Sequence, residues 1–342
     1  MTNQGRQRDA IGKGKVWAGA LTYLAVILMT AAGYGQPALK KITFIPQWSP
    51  QAQFAGYYAA YEKGIYARHG LEVKILRGGA HRPSSELLEK GEADMASIWL
   101  STALQKRSSG VRLVNVAQVV QRSSLMLIAK KSRGIRRPED LEGKKVGLWG
   151  DDFRIQPTAF FKKYKVTVKV VPQSYSVNLF LRDGVDAASA MWYNEYHTVL
   201  NAGINADELT SFFYSDYGLN FPEDGIYIME ETLKKDPAAV CAFVSASLEG
   251  WRWAFDHPEE AIDIILKYMV EANVPANKVQ QRWMLERMRD VITPSGSDRA
   301  AMGVLKKEDY ERVGKELKDG GLIGDVPGMD AFAFTCTGYV KK

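Results

Sequence analysis

Trp48, Trp99, Trp149 and Trp192 are four of the eight tryptophans in this 342-residue chain. Each stands at or just past the end of a short apolar run: KITFI, DMASI, KKVGL and DAASAM. Polar side chains accompany them. Gln47 precedes Trp48, Ser101 follows Trp99, Asp152 follows Trp149, and Asn194 and Glu195 follow Trp192. Phe54, Tyr57 and Tyr58 crowd the stretch QFAGYYAAYEKG just downstream of the first run, and Arg122 follows the run RLVNVAQVV. Large flat rings supply contact area and stack on planar molecules. Amide and carboxylate groups then read the edge of such a molecule through directed hydrogen bonds. The chemistry this pattern suits is the binding of a small planar heteroaromatic compound. The competing reading is that the rings close the core at the edge of a sheet. Four tryptophans, all at run ends, favour the site, because burial alone does not select that position.

The elements that position these residues follow from the alternation of patterns. β-Branched runs (KITFI, LEVKI, DMASI, RLVNVAQVV) alternate with helical stretches such as FAGYYAAYEKG and SSELLEKGEA. A second series follows, with LMLIAKK, KKVGL, KVTVKVV, DAASAMW and TSFFY. Such alternation predicts parallel-rich sheets flanked by helices. Gly64 closes the first helix in a left-handed conformation, Ser84 or Ser85 caps the next, and Asp236–Pro237 and His257–Pro258 open two long helices near the end. Hinges are expected near 118–125 and 221–228. They divide the mature chain into one lobe of residues 36–121 plus 226–342 and a second lobe of residues 122–225. Ligands of open α/β sheets bind beyond the carboxyl ends of strands and between domains. The Phe54 helix is therefore expected to turn Phe54 and Tyr57 or Tyr58 to the cleft and Tyr61 inward, with Gly56 allowing close approach to a ligand.

Composition narrows the function classes. Hydrophobic residues make up 46% and aromatic residues 11%, which suits a chain with a real core. The net charge is +6, and Arg6, Arg8, Lys13 and Lys15 against Asp9 account for +3 of it (4 − 1), leaving +3 for the remainder. That bias is too weak to argue for nucleic acid. No GxGxxG, GxxxxGK[ST] or GxSxG occurs, so neither a phosphate cradle nor a nucleophile elbow is present, and no cofactor is expected. None of the four histidines stands at metal-ligand spacing from another His or Cys. A charged start, the apolar run VWAGALTYLAVILMTAA and the small residues of AAGYGQP have the layout of a secretory signal over residues 1–35, cleaved before Gln36. The alternative is an uncleaved anchor. An exported chain can pair Cys241 with Cys336, or Cys241 can sit free in a helix.

The stretches QWSPQAQFAGYYAAYEKGIYARHGLEVKI, GEADMASIW, RRPEDLEGKKVGLWG and MWYNEYHTVLNAGI resemble the periplasmic solute-binding proteins of ABC importers. The branch is the one that shares its fold with thiamine-pyrimidine synthases, and the resemblance spans about residues 40–325. It implies a two-lobed, type II-like periplasmic-binding-protein fold, a monomeric protein, and delivery of the solute to a membrane permease with its ATPase. It also implies a thiamine pyrimidine precursor or a riboflavin-like compound as solute, with sulfonate-type anions as an alternative; Arg122 and Arg154 are the cleft-edge cations that such an anion would need. The synthases consume a histidine and hold pyridoxal phosphate on a lysine. The corresponding places here are Phe54 and Tyr61, so the resemblance implies binding without catalysis, with a thiamine-pyrimidine synthase-like enzyme as the alternative.

Overall fold

The computed structural model describes residues 38–294 and 302–336, so residues 1–35, read above as a signal segment, lie outside the described residues. Ten strands form two five-stranded sheets. The first holds β1 (Lys40–Ile45), β2 (Leu71–Ile75), β3 (Met95–Ile98), β4 (Leu113–Gln118) and β10 (Gly225–Met229), in the order β2-β1-β3-β10-β4. The second holds β5 (Leu125–Lys130), β6 (Lys145–Leu148), β7 (Lys169–Pro172), β8 (Ala187–Met191) and β9 (Leu209–Phe213), in the order β7-β6-β8-β5-β9.

Four strands of each sheet run one way, and the fifth runs against them. β10 is antiparallel to both β3 and β4, and β5 to both β8 and β9. The reason lies in the connections. The chain crosses between the sheets twice, from β4 to β5 and from β9 to β10. Each crossing leaves one sheet at the carboxyl ends of its strands and enters the other from that same side, so the entering strand must run backwards. β10 lies within the segment expected to be a hinge. Its sequence GIYIM is almost wholly buried and shows no alternation, which hides a strand flanked on both sides by other strands.

Helix α1 (Ala55–Glu62) packs on the long helix α2 (Pro237–Asp256). Asp236 caps α2 by accepting a hydrogen bond from Ala239 N at 3.0 Å, and Pro237 occupies its first turn. The two helices meet so closely that a Cβ on Gly56 would lie 2.3 Å from the Trp251 ring, and one on Gly250 would lie 2.2 Å from Gly56 O. Gly56 thus serves helix packing rather than approach to a ligand. Helices α3 (Pro258–Glu271), α4 (Lys278–Ile292) and α5 (Lys307–Asp319) follow. The short helix Ser84–Glu89 has no side-chain cap; Ser84 Oγ donates instead to Ser97 O at 2.7 Å. Gly64 takes the left-handed conformation expected of it, with φ +64°. Cys241 and Cys336 form a disulfide with Cα atoms 5.4 Å apart, which ties α2 to the C-terminal segment.

Candidate functional site

The carboxyl ends of β1, β3, β6, β7 and β8 converge on one cavity of about 120 Å³. Gln47, Trp48, Gln51, Gln53 and Trp99 line it from the first sheet. Trp149, Phe153, Tyr175, Met191, Tyr193, Asn194 and Glu195 line it from the second. An outer groove of about 340 Å³ continues past Trp48, Trp99, Phe153 and Tyr175 towards Ser84, Thr102 and Lys106. A cavity of about 150 Å³ holds a benzene ring. The inner chamber is therefore of single-ring size.

Rings from the two sheets meet edge-on around the chamber. Trp48 and Tyr175 stand 4.8 Å apart at 66°, and Trp99 and Phe153 stand 4.8 Å apart at 75°. Trp149 reaches Phe153 at 5.5 Å, and its Nε1 donates to Ser174 O at 3.1 Å. The first wall is pinned by its backbone. Gln47 N donates to Ser97 Oγ at 2.8 Å, Ala52 N to Gln281 Oε1 at 2.7 Å, and Gln53 Nε2 to Asp224 Oδ2 at 2.7 Å. Rings and amides fixed in this way can meet a flat solute with little further ordering.

Glu195 is the one ionisable carboxyl among the described side chains that line the chamber. It is 7% exposed and stands at the first turn of the helix Glu195–Asn201. Its Oε2 accepts from Met191 N at 2.9 Å and its Oε1 from Asn194 Nδ2 at 2.8 Å. A carboxylate offers about four acceptor positions, so acceptor capacity remains for a solute. Burial pushes its carboxyl up to about 7, against the lowering effect of these hydrogen bonds. Behind the chamber, Glu223 accepts from Ser124 N at 2.6 Å, Leu125 N at 3.2 Å and Ser123 Oγ at 3.0 Å. It thereby ties one inter-sheet connection to the other. Burial, then the neighbouring Asp224 charge, pushes the Glu223 carboxyl up to about 8, and burial lifts Asp224 to about 7.

Of the residues singled out in sequence, Gln47, Trp48, Trp99, Trp149, Asn194 and Glu195 meet in this chamber. Others do not. Phe54 is fully buried, and Tyr57 packs between Phe44 at 4.6 Å and Trp251 at 5.8 Å. The helix turns these rings onto β1 and α2, so it serves the core. Tyr58 packs at a tilt of 43° against Tyr268 at 4.4 Å, and Tyr61, expected inward, is 47% exposed. Ser101 is buried off the chamber, one position past the start of its helix. Trp192 points away from it, against Phe213 at 5.5 Å, because successive residues leaving β8 face opposite sides. Arg122 donates to Ser215 Oγ at 3.1 Å and to Asp216 Oδ1 at 2.6 Å, and does not line the chamber. The backbone of Asp152 lies in the turn Asp151–Arg154; its side chain lies outside the described residues.

Gln51, Gln53, Tyr175, Met191 and the lining role of Tyr193 were missed. Gln51 and Gln53 fall at the cap and in the middle of the 3-10 turn Ala52–Phe54, just ahead of the run FAGYYAAYEKG that reads as helix. Tyr175 sits in the loop after the short β7, where SYS carries no pattern.

A family model described as NMT1/THI5 like matches residues 51–261. The riboflavin-binding protein RibY of Chloroflexus aurantiacus is 26% identical over 268 residues, covering 74% of this chain and 73% of its own. The formylaminopyrimidine-binding protein of Halalkalibacterium halodurans is 25% identical over 274 residues, covering 77% and 82%. Among solved structures, the periplasmic aliphatic sulphonate-binding protein SsuA of Escherichia coli superposes with a TM-score of 0.66 at 14% identity, covering 87% of this chain and 92% of its own. That likeness shows a shared fold, the two-lobed fold of periplasmic binding proteins.

Proposed function

This chain belongs to the NMT1/THI5-like family, and from that premise we propose that it is a non-catalytic solute-binding protein that holds a small planar heteroaromatic compound between its two lobes. The lobes divide at residues 122 and 225, where the chain crosses between sheets. One observation carries the reading. Among the described side chains, the chamber presents aromatic rings from both sheets, a row of amide side chains and a single carboxylate, with no Lys, Arg or His in its lining. Rings stack on a planar solute. Asn194, Gln53 and Glu195 meet the ring edge, and Glu195 favours an N–H donor such as an amino group. A compact anion would bring its charge against Glu195 without a cation to offset it.

The size of the chamber favours a single ring, such as an aminopyrimidine precursor of thiamine. A riboflavin-like solute would extend into the outer groove past Trp48 and Trp99. RibY and the formylaminopyrimidine-binding protein are named for solutes of these two kinds. In the same reading the protein is exported by cleavage before Gln36, acts as a monomer in the periplasm, and delivers its solute to an ABC permease and its ATPase. Phe54, at the place the synthases give to their consumed histidine, is sealed in the core, which supports binding without turnover.

The test is calorimetric titration of the wild-type protein and Glu195→Ala with pyrimidines, flavins and alkanesulfonates. Loss of a charge-assisted hydrogen bond costs about 1.5–3 kcal/mol, roughly one to two decades of affinity for the preferred heteroaromatic. Tight sulfonate binding that survives the substitution would refute the ligand class.

A further inference from the structure

Helix α4 contributes nothing to the chamber lining, yet it holds both chamber walls. Asn277 caps its start by accepting from Gln280 N at 3.0 Å. One face carries Gln281, Met284, Leu285 and Met288, all buried, and the helix packs on α3, on α2 and on the turn Ala52–Phe54 of the first lobe. From that face Gln281 Oε1 accepts Ala52 N at 2.7 Å and Met284 Sδ accepts Gln53 N at 3.3 Å. These contacts fix the turn that bears Gln51 and Gln53.

The neighbouring stripe, Gln280, Trp283 and Arg287, follows the i, i+3, i+7 spacing of one helical face. It meets the turn that leaves β8 in the other sheet. Trp283 Nε1 donates to Trp192 O at 3.1 Å, and the His197 ring lies parallel to Trp283, 4.7 Å away at 11°. Gln280 Nε2 donates to Asn194 Oδ1 at 3.2 Å and to Asn194 O at 3.3 Å, while Gln280 Oε1 pairs with His197 Nδ1. The Arg287 guanidinium stands 4.9 Å from Trp192 and 4.6 Å from Trp283, and its Nε donates to Asp290 Oδ2 at 2.8 Å.

Asn194 is the joint. Its side-chain carbonyl faces Gln280, and its amide nitrogen donates to Glu195 Oε1 at 2.8 Å. A contact outside the chamber is thus one side chain away from the carboxylate inside it. We infer that Gln280 and Trp283 are positioning residues: they latch the Trp192–His197 turn to the first lobe and thereby set how long the chamber holds its solute. Any separation of the two lobes must break these contacts, since α4 is buried against one lobe and the turn leaves a strand of the other. Each is individually modest, a hydrogen bond or a ring stack. Modest terms suffice, because the ratio of closed to open forms scales solute affinity directly.

The inference rests on the binding reading for its ligand arm, so one arm uses no ligand. Spin labels at Lys90 and Arg136, exposed residues of the two lobes, report lobe separation in the solute-free protein. Gln280→Ala and Trp283→Leu are expected to lengthen that distance distribution while the solute-free melting temperature stays within a few degrees of wild type. In the ligand arm, both substitutions are expected to raise the dissociation rate about tenfold for every solute that binds. Association and the order of preference among solutes should not change. A merely structural role would lower the melting temperature and leave the ratio of dissociation to association rates alone. Unchanged label distances in both variants would overturn the latch, whatever the solute proves to be. If no heteroaromatic binds but the distances lengthen, the latch stands and the ligand reading falls.

Discussion

Three carboxyls buried around the chamber should make this protein more stable in mild acid than at pH 8. Glu195, Glu223 and Asp224 are raised to about 7, 8 and 7. Burial is the first cause of each, since an apolar surround disfavours the charged form. In the unfolded chain these groups give up their protons near pH 4. Between pH 4.5 and 8 the folded protein therefore binds more protons than the unfolded one, and unfolding free energy falls as pH rises. The stabilising contribution is fully present below about pH 4 and is lost as pH climbs through 7 to 8. At about 1.4 kcal/mol per pH unit, the rise at Glu195 from 4.5 to about 7 corresponds to roughly 3 kcal/mol. The three contributions do not add, because the Asp224 charge is itself one cause of the Glu223 shift. Surface carboxyls such as Glu62 and Asp236 are shifted downwards by their partners and act in the opposite sense. Their effect is complete by about pH 5, below the window in question. A few kcal/mol in a protein of this size moves the melting temperature by about 5–10 °C. Calorimetric melts of wild type and Glu195→Gln from pH 5 to pH 8 read it directly. The wild-type melting temperature should fall across that range, and the fall should be shallower in the variant. A wild-type melting temperature that holds level or rises from pH 5 to pH 8 would refute the reasoning.

Two further outcomes test the frame that carries the site. Reduction of Cys241–Cys336, or their joint replacement by serine, should cost about 4–5 kcal/mol, because the bridge spans 95 residues of sequence; melting curves that coincide with and without reductant would contradict this. Gly250→Ala sets a methyl 2.2 Å from Gly56 O and 2.6 Å from Ala60 Cβ, so α1 and α2 must part at a cost of about 1–3 kcal/mol; a loss under about 0.5 kcal/mol in urea denaturation would show that the contact relaxes freely.

The parts of the fold legible in sequence were those whose signal is local. Apolar β-branched runs gave nearly every strand, and proline after Asp236 and His257 marked the two long helices. Strand ends then pointed to Trp48, Trp99, Trp149, Asn194 and Glu195. What escaped depends on direction in space. Nothing local separates Trp192, turned against Phe213, from Trp149 on the chamber wall. In the same way FAGYYAAYE repeats rings so densely that no face of the helix stands out, and Phe54 and Tyr57 entered the core while Tyr61 went to solvent. The strand β10 was hidden by burial on both faces, and with it the reversal that brings the chain back into the first sheet.

The same fold carries the sulphonate-binding protein of Escherichia coli, so the fold alone leaves the sign of the solute's charge open. That choice falls to a few side chains at the strand ends. In this chain three of the cations near the chamber have partners. Arg122 is held by Asp216, Lys106 by Glu89, and Arg287 by Asp290 and two indole faces. Among its described side chains the chamber keeps one carboxylate, Glu195, with backbone and amide donors on it in place of a cationic partner. A buried carboxylate without a counter-cation is costly, and its burial raises its proton affinity into the neutral range. A solute that supplies N–H donors to Glu195 relieves that cost, whereas an anionic solute adds to it. On the proposed reading, the energetic cost that lowers stability at pH 8 and the preference for a donor-bearing ring have one origin, a buried carboxylate without a cationic partner.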